Sequence, residues 1–207
     1  MAQEKVATFK YMENFILSSH GFQKNRTLKK KLLTLLPKAA NNLSVAIITT
    51  ASAEWKEKNK HAILAKQVFE NMDFKQVKFV DIEFENPNKL KKFDVIYING
   101  GNPFYLLYHL KKSGADKVIT QLADKGVIIV GISGGGVILG PSIKIVDYFD
   151  KKINTIKLKD LNGLNLTDTI IYPHYTKEAE EKIKKFEDKY QCKVRRLTDN
   201  QSVIIEK

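Results

Sequence analysis

The stretch GVIIVGISGGGVILG, residues 126–140, decides the fold of this chain. It begins with an apolar run, 127–130, that is enclosed by Gly126 and Gly131, and a continuous β-branched run of this length is typical of a strand buried on both faces. Ser133 follows at once, among further glycines, before apolar residues resume. We therefore predict a buried strand that turns sharply into a helix at Ser133.

Apolar runs of the same kind recur along the chain and alternate with segments of helical period, such as 55–71. Strands that alternate with helices predict a mostly parallel sheet with helices on both faces, an α/β three-layer sandwich. The length of 207 residues, with no repeat and no low-complexity linker, predicts a single domain over residues 1–207. The other runs that we interpret as strands are 15–17, 45–48, 77–80, 95–98, 170–172, 193–195 and 202–205.

Composition excludes several classes of protein. Hydrophobic residues make up 43% and charged residues 28% of the chain, and no apolar run approaches the roughly 20 residues that span a bilayer. Residues 1–5 lack the pattern of a signal peptide, so we expect a cytoplasmic protein without a membrane partner. Cys192 is the single cysteine, which excludes an intrachain disulfide and a zinc site of paired cysteines. We expect no metal and no cofactor.

The net charge of +12 raises the question of a nucleic-acid partner, since lysine and arginine neutralise phosphates. The 35 basic residues are spread over the whole chain, however, mostly as lysines on helix faces that we expect to be solvated, such as 29–31 and 182–189. No nucleic-acid-binding motif accompanies them. We therefore expect no nucleic-acid partner.

The glycines around Ser133 indicate a serine nucleophile. In a parallel α/β sheet, ligands bind at the carboxyl ends of the strands, which is where Ser133 is expected. Gly131 and Gly135 relieve the collisions of a sharp strand-to-helix turn, and the serine hydroxyl then stands at the N-terminus of a helix. Gly-x-Ser-x-Gly alone also fits a phosphate site or close packing. No Gly-Lys-Ser/Thr follows, however, and this turn lacks the dinucleotide spacing Gly-x-Gly-x-x-Gly.

A serine nucleophile needs a base, and the chain has four histidines. His20 and His61 lie in polar segments that we expect to be exposed, and His109 lies on a predicted helix, where we expect it to be packed. His174 follows the apolar run 170–172, so we expect it at the same sheet edge as the serine. A purely structural role for His174 is the alternative.

The turn Asn99-Gly100-Gly101-Asn102 follows the run 95–98. Its glycines allow a backbone N–H to approach a substrate closely, and the helix predicted to begin near Pro103 adds a favourable dipole. A simple chain reversal is the alternative interpretation. Together with Ser133 and His174, the turn offers an oxyanion donor at the same sheet edge.

Three segments together, INGGNPFYLL (98–107), GISGGGVILGP (131–141) and YPHY (172–175), resemble the dipeptidase E family. This is the aspartyl dipeptidase type of serine peptidase, to which cyanophycinase is related. The resemblance extends from Ile47 to the segment LTDNQSVII (197–205). It implies the flavodoxin-like sheet of the class I glutamine amidotransferases, with serine as the nucleophile.

The resemblance also assigns roles to individual residues. A carboxylate shortly before the final strand orients the histidine in the family, and Asp199 in LTDNQ occupies the similar place. An aspartate shortly after the nucleophile has also been given this role, for which Asp147 or Asp150 is the other candidate. The remaining implied residues are Ser133 as nucleophile, His174 as general base, and Gly101 and Gly134 as backbone donors of the oxyanion hole.

Two departures from the family pattern bear on activity. The family usually reads Ser-Ala-Gly-Ala where this chain has Ser133-Gly134-Gly135-Gly136, and the extra glycines predict a more flexible turn and a less preorganised oxyanion hole. Aspartyl specificity requires a cation near the substrate pocket, but residues 176–178 read Thr-Lys-Glu and no arginine follows His174 until Arg195. A preference for aspartate is therefore not predicted.

We expect a serine peptidase that hydrolyses small peptides, dipeptides first, through an acyl-enzyme. The alternatives are a catalytically silent relative that binds a small peptide, and an esterase of the α/β-hydrolase type. The esterase leaves the Asn-Gly-Gly-Asn turn unexplained, whereas the unusual glycines after Ser133 keep the silent relative open as an alternative. The expected partner is a small peptide, and no sequence feature indicates an oligomeric state.

Overall fold

Eight strands organise the part of the chain that the computed structural model describes, residues 13–206. Their bounds are β1 Glu13–Ser18, β2 Ser44–Ile48, β3 Gln76–Val80, β4 Val95–Ile98, β5 Ile128–Ile132, β6 Ile170–Tyr172, β7 Val194–Arg196 and β8 Ser202–Glu206. Six of them form one central sheet in the order β3-β2-β4-β5-β1-β8. Every neighbouring pair in this sheet is parallel except β1 with β8. The predicted α/β fold class with a mostly parallel sheet is therefore confirmed.

The helices connect these strands. The α-helices are α1 Leu28–Leu35, α2 Lys60–Glu70, α3 Pro103–Ser113, α4 Ala115–Asp124, α5 Gly134–Val137, α6 Lys144–Phe149 and α7 Glu180–Tyr190. Short 3₁₀ helices cover Ala40–Asn42, Lys56–Lys58, Pro87–Lys92, Lys151–Ile153 and Lys177–Ala179. The helical segment predicted at 55–71 is divided, because Asn59 is extended and its side chain caps α2 by accepting hydrogen bonds from the N–H groups of His61 and Ala62.

Two apolar cores lie on the two faces of the central sheet. Neighbouring residues of β1 alternate between them: Phe15 and Leu17 belong to one core, and Ile16 belongs to the other. The first core also holds residues of α3, α4 and α7, and the second holds residues of α1 and α2. Helices therefore cover both faces of the sheet, which is why its strands read as continuous apolar runs rather than as alternating ones.

Strand β6 does not belong to the central sheet, which corrects the expectation from the sequence. Its residues Ile170–Tyr172 pair in parallel with β7, residues Val194–Arg196. The neighbouring position beside β1 is occupied by β8, which runs antiparallel to it. Residue 174 therefore reaches the sheet edge from a separate two-stranded layer.

Three loops meet at the carboxyl edge of the sheet, because β5 lies between β4 and β1. Ile98 of β4 is in register with Gly131, and Ser18 of β1 is in register with Ile132. The residues that follow these strands, beginning at 99, 133 and 19, are therefore neighbours in space. Ligands bind at this edge in open α/β sheets.

Candidate active site

Ser133 has a strained backbone that the surrounding chain holds in place. Its φ of 48° and ψ of −118° lie outside the regions that a residue with a side chain normally adopts. The Ser133 N–H donates to the carbonyl of Ser18 at 2.8 Å, and its carbonyl accepts from the N–H groups of Gly136 and Val137 at 2.8 and 2.9 Å. Such strain persists where several bonds enforce it, and it is characteristic of functional sites.

The glycines on either side of Ser133 are required by close backbone contacts. A Cβ on Gly131 would lie 2.6 Å from the carbonyl oxygen of Gly135, and a Cβ on Gly135 would lie 2.5 Å from the carbonyl oxygen of Ile98. Any side chain at these positions would collide with backbone atoms that cannot move away independently. These are the collisions that the Gly-x-Ser-x-Gly pattern predicts at a nucleophile elbow.

Gly134 is also a close-packed position, which gives a physical reason for one departure from the family pattern. A Cβ on Gly134 would lie 2.4 Å from the carbonyl oxygen of Gly101 and 3.3 Å from Cδ of Pro103. The turn 99–102 therefore packs directly against the start of α5. An alanine at this position requires that turn to lie farther away, whereas glycine allows the close contact seen here.

Ser133, His174 and Asp199 form a continuous hydrogen-bonded chain. The Oγ of Ser133 lies 2.8 Å from Nε2 of His174, and Nδ1 of His174 lies 2.6 Å from Oδ1 of Asp199. An ionised carboxylate accepts hydrogen bonds only, so Nδ1 carries the proton and Nε2 is left to accept from the serine hydroxyl. This is the arrangement in which a histidine can remove a proton from a serine.

The backbone of His174 is held as firmly as that of the serine. Its φ is 57°, and its N–H donates to Oγ of Ser19 at 2.7 Å. The residues around it are fixed to the segment after β7: the N–H of Tyr175 donates to the carbonyl of Leu197, and the N–H of Leu197 donates to the carbonyl of Tyr172, both at 3.0 Å. These bonds set the imidazole between Ser133 and the residues that follow β7.

Asp199 is bound on both of its carboxylate oxygens. Oδ2 accepts a hydrogen bond from Nζ of Lys24 at 2.6 Å, while Oδ1 faces His174. The Lys24 bond and then the His174 bond lower the pKa of Asp199 to about 2, against the small opposing effect of burial. The carboxylate is therefore ionised at neutral pH. Lys24 carries no local signal of this role in the sequence, because 175 residues separate it from its partner along the chain.

The two other candidate acids are not hydrogen-bonded to the histidine. Asp147 belongs to α6, and Oδ1 of Asp150 accepts a hydrogen bond from the N–H of Lys152 at 2.9 Å, where it caps a 3₁₀ helix. Neither makes a hydrogen bond to His174 within the part of the chain that the structure describes. Of the three aspartates, only Asp199 makes a hydrogen bond to the histidine.

The two glycines predicted as oxyanion donors lie next to each other at the serine. Gly101 has a φ of 147°, and the backbone of Ala51 leaves no room for a side chain there, since a Cβ would lie 2.4 Å from its carbonyl oxygen. Among residues 13–206, no group accepts a hydrogen bond from the N–H of Gly101 or of Gly134. Gly134 is buried, and a free N–H on a buried residue is uncommon in folded proteins.

Asn102 connects this turn to two other elements. Its side-chain oxygen caps α3 by accepting from the N–H groups of Phe104 and Tyr105 at 3.0 and 3.1 Å. Its Nδ2 donates to the carbonyl of Ile153 at 2.8 Å. The turn is therefore fixed to α3 on one side and to the segment after α6 on the other.

A polar cleft of about 250 Å³ adjoins Ser133. Two histidines that the sequence analysis expected to be exposed, His20 and His61, line it and are half-buried, which corrects that expectation. Their rings lie 5.5 Å apart, and the ring of His20 lies 6.0 Å from that of His174. Burial lowers the pKa of His20 and of His61, which favours the uncharged form of both rings. The position of His20 just after β1 could have predicted its place in the cleft, because β1 neighbours β5 and Ser133 directly follows β5.

A second cavity, of about 550 Å³, adjoins Ser133 with mostly apolar walls. It shares Gly101, Ser133 and His174 with the polar cleft, and its other walls are different. The serine therefore stands where two chemically unlike cavities meet. Cavities with a few convergent polar groups are the usual form of small-molecule sites.

Residues 13–206 contain neither a cluster of metal ligands nor a helix suited to cross a membrane. No group of three or more histidine, cysteine, aspartate or glutamate side chains in that range could hold a metal ion. None of the helices described there has the length and apolar character needed to cross a membrane. His109 is buried, as its helical position predicted, and its Nε2 lies 3.9 Å from Oε1 of Glu83.

Sequence comparison finds similar proteins over most of the chain. The model of Peptidase family S51 matches residues 15–207. An uncharacterized peptidase of Listeria monocytogenes serovar 1/2a is 34% identical over 165 residues, which cover 74% of this chain and 80% of the relative. An uncharacterized peptidase of Pasteurella multocida strain Pm70 is 34% identical over 152 residues, which cover 69% of this chain and 72% of the relative.

Comparison of structures finds the same architecture. The 1.5 Å crystal structure of a candidate peptidase E protein from Listeria monocytogenes EGD-e has a TM-score of 0.75 and 28% sequence identity, and the match covers 93% of this chain and 94% of that one. A peptidase from an acI-B1 actinobacterium has a TM-score of 0.57 and 18% identity, with 81% and 73% of the two chains covered. The second likeness shows a shared fold alone.

Proposed function

The chain belongs to Peptidase family S51, and from that premise we propose that it hydrolyses short peptides, dipeptides first, through an acyl-enzyme formed on Ser133. The family match confirms the resemblance to dipeptidase E, so the chain is a serine peptidase with the fold of the class I glutamine amidotransferases. The proposal concerns the substrate and the roles of the residues. The observation that carries it is the hydrogen-bonded chain from Ser133 through His174 to Asp199.

In the first step, Ser133 attacks the carbonyl carbon of the scissile peptide bond. Nε2 of His174, 2.8 Å from the serine Oγ, takes the hydroxyl proton as the new C–O bond forms. Asp199 stays ionised, holds the Nδ1–H, and stabilises the imidazolium that results. The imidazolium then gives its proton to the leaving amine, and an acyl-serine remains.

The developing negative charge on the carbonyl oxygen needs donors. The free N–H groups of Gly101 and Gly134 are the proposed ones, and the dipole of α3, whose first turn follows the same loop, supports them. Loss of one such donor costs an enzyme of this kind roughly 10²–10³ in kcat. A water activated by His174 then hydrolyses the acyl-enzyme and restores the serine.

The two cavities favour a short substrate. Both cavities adjoin Ser133. When the scissile bond of a peptide lies at the serine, the residues on the two sides of that bond therefore face different cavities. The polar cleft and the apolar cavity each accept one of the two residues. A dipeptide uses both cavities without needing a longer groove.

The test is hydrolysis of a panel of dipeptides, tripeptides and simple esters by the native protein and by Ser133→Ala. We expect dipeptide cleavage by the native protein and a loss on the order of 10⁶-fold in kcat in the variant. Ser113→Ala is the matched control, because the Ser113 hydroxyl bonds only backbone groups far from Ser133: it donates to the carbonyls of His109 and Leu110 and accepts from the N–H of Ala115. Cleavage that survives in Ser133→Ala would overturn the assignment of the nucleophile.

The same panel separates the two alternatives. Preferential ester cleavage with no peptide cleavage would identify an esterase. No turnover of any substrate, by a protein shown to be folded, would identify a silent peptide-binding relative. Trapping of the acyl-enzyme by acid quench and mass spectrometry, with the acyl mass on the peptide that contains Ser133, would establish the covalent step directly.

A further inference from the structure

We propose that the apolar cavity beside Ser133 is a specificity pocket that selects a large aliphatic or aromatic side chain, such as leucine or phenylalanine, on the residue next to the scissile bond. This inference rests on the proposed peptidase function and names its substrate class. The cavity measures about 550 Å³ and includes Ser133 and His174 in its lining, so a side chain bound there belongs to a residue at the reacting bond.

The walls of the cavity are apolar. Val137 and Ile145 form its buried part, with exposed fractions of 2% and 1%. Phe149 and Tyr172 are half-buried, and their ring centroids lie 4.4 Å apart at an angle of 45°. Ile153, 38% exposed, lies at the rim. When an apolar ligand covers this surface and removes it from water, the free energy of the system falls, which favours binding.

The charges around the cavity disfavour an acidic side chain. The lining contains no lysine or arginine, and its ionisable side chains are Asp150, His174 and the phenol of Tyr172, whose pKa burial raises. Lys182 stands outside the lining: its ammonium lies 4.7 Å from the centroid of the Phe149 ring and donates to the Phe149 carbonyl. A substrate carboxylate in the cavity would be desolvated among apolar walls, near the carboxylate of Asp150, without a lining cation to pair with it.

A hydrogen bond and a helix fix two walls of the cavity. The Nδ2 of Asn102 donates to the carbonyl of Ile153 at 2.8 Å and so ties the rim to the turn that carries Gly101. Ile145 and Val146 lie in the first turn of α6, which begins at Lys144, so the helix fixes their positions. A pocket with fixed walls loses little entropy on binding, so its shape and apolar character can discriminate between side chains.

The polar cleft offers a contrast within the same site. It holds His20, His61, Asn59 and Asn99 and has no wall of aliphatic side chains comparable to that of the apolar cavity. A substrate that spans Ser133 therefore meets hydrogen-bonding groups on one side and apolar groups on the other. Selection by size and apolarity is accordingly expected at one of the two residues of a dipeptide.

The experiment compares kcat/KM for two series of dipeptides, X-Ala and Ala-X, in which X is alanine, leucine, phenylalanine, aspartate or lysine. In one of the two series we expect leucine and phenylalanine to exceed alanine, aspartate and lysine by about 10-fold or more, the scale on which apolar pockets discriminate. A preference for aspartate, or no dependence on X in either series, would overturn the proposal.

Filling the cavity gives an independent readout. Val146→Trp places a large ring in it and is expected to lower the ratio of kcat/KM for phenylalanine to that for alanine by about 10-fold. Val68→Trp is the matched control, because Val68 is also half-buried but packs on the other face of the sheet. The ratio of kcat/KM for phenylalanine to that for alanine should be the same in this variant as in the native protein. An unchanged ratio in folded Val146→Trp would overturn the proposal. Ile153→Asp, at the exposed rim, is a second variant that keeps the fold and should lower the same ratio.

Failure of the peptidase proposal can be distinguished from failure of the pocket. If no dipeptide is cleaved, the function is wrong, and the pocket is then tested by calorimetric binding of the same dipeptides to Ser133→Ala. Tighter binding of the leucine and phenylalanine members, weakened in the Val146→Trp background, would support the pocket by itself. Equal binding of all members would overturn it.

Discussion

The ammonium of Lys24 lies 2.6 Å from Oδ2 of Asp199, the carboxylate whose other oxygen faces His174. The carboxylate of the proposed catalytic acid therefore contacts a lysine through one oxygen and the histidine through the other. Lys24 is 58% exposed on its side chain, and Asp199 is 34% exposed, so the pair stands at the rim of the site in contact with water. The lysine lowers the pKa of the carboxyl and fixes its second oxygen.

Replacing Lys24 should change the titration of Asp199. In Lys24→Met, the pKa of Asp199 is expected to rise from about 2 toward its ordinary value of 3.8, because the largest cause of the lowering is the Lys24 hydrogen bond. Carboxyl carbon chemical shifts followed by NMR through an acid titration measure this. Lys29→Met, on an exposed face of α1, is the control and should leave the titration as it is. An unmoved Asp199 titration in Lys24→Met would show that the ion pair is absent in solution.

The stability of the protein in acid should also depend on Asp199. Its pKa is lower in the folded chain than in the unfolded chain, so the unfolded state takes up the proton first as the pH falls. The stabilisation is therefore fully present above the ordinary pKa of 3.8 and is lost as the pH falls toward about 2. Urea denaturation at several pH values should show native protein and Asp199→Asn differing at pH 6 and converging near pH 2. A constant difference would contradict the prediction.

Asp199→Asn should impair catalysis severely. An asparagine can donate to Nδ1 of His174, which favours the tautomer whose Nε2 carries the proton and cannot accept one from Ser133. The expected loss is on the order of 10⁴-fold in kcat, with little change in KM. Asp147→Asn is the control, since Asp147 lies on α6 without a bond to the histidine, and it should retain native kcat. A comparable loss in Asp147→Asn would transfer the role to that residue.

Gly134→Ala tests the close packing between the elbow and the turn 99–102. The new Cβ would lie 2.4 Å from the carbonyl oxygen of Gly101, so the turn must move and the two proposed oxyanion donors must separate. We expect kcat to fall by roughly 10²–10³-fold, the scale for a lost oxyanion donor. Gly114→Ala, where nothing lies within 4 Å but φ is +77°, should lower the melting temperature and leave kcat at the native value. Native activity in Gly134→Ala would show that the turn accommodates the methyl group.

Arg196 should contribute to stability from the second, smaller sheet. Its guanidinium binds Glu187 at 2.6 Å and Glu180 at 3.1 Å, and so fastens β7 to α7 directly before the segment that carries Asp199. Arg196→Met removes these bonds from partly buried partners and should lower the free energy of unfolding by about 1–2 kcal/mol. Urea denaturation measures this loss. Lys185→Met, which removes an exposed ion pair with Glu181, is the control and should leave the denaturation curve unchanged.

Local patterns in the sequence predicted most of the fold. The runs 45–48, 77–80 and 95–98 lie within the observed strands, because a short β-branched segment between polar residues has few alternatives to a buried strand. The turn at Ser133 was predictable for a similar reason, since glycines at fixed offsets from a serine relieve collisions between residues only a few positions apart. The helix from Pro103 was predictable because proline is favoured in the first turn of a helix, and the structure adds that Asn102 caps it.

The sequence by itself therefore determined the α/β class, the elbow at Ser133 and the family. The tertiary structure alone decided the selection of Asp199 over Asp147 and Asp150 as the partner of His174, the ion pair to Lys24, and the placement of His20 and His61 in the polar cleft. The tertiary structure also placed β6 outside the central sheet and created the apolar cavity beside Ser133. The physical reason is distance along the chain. A hydrogen bond or turn between near neighbours leaves a local signature, whereas Lys24 and Asp199, 175 residues apart, meet only after the whole sheet has formed.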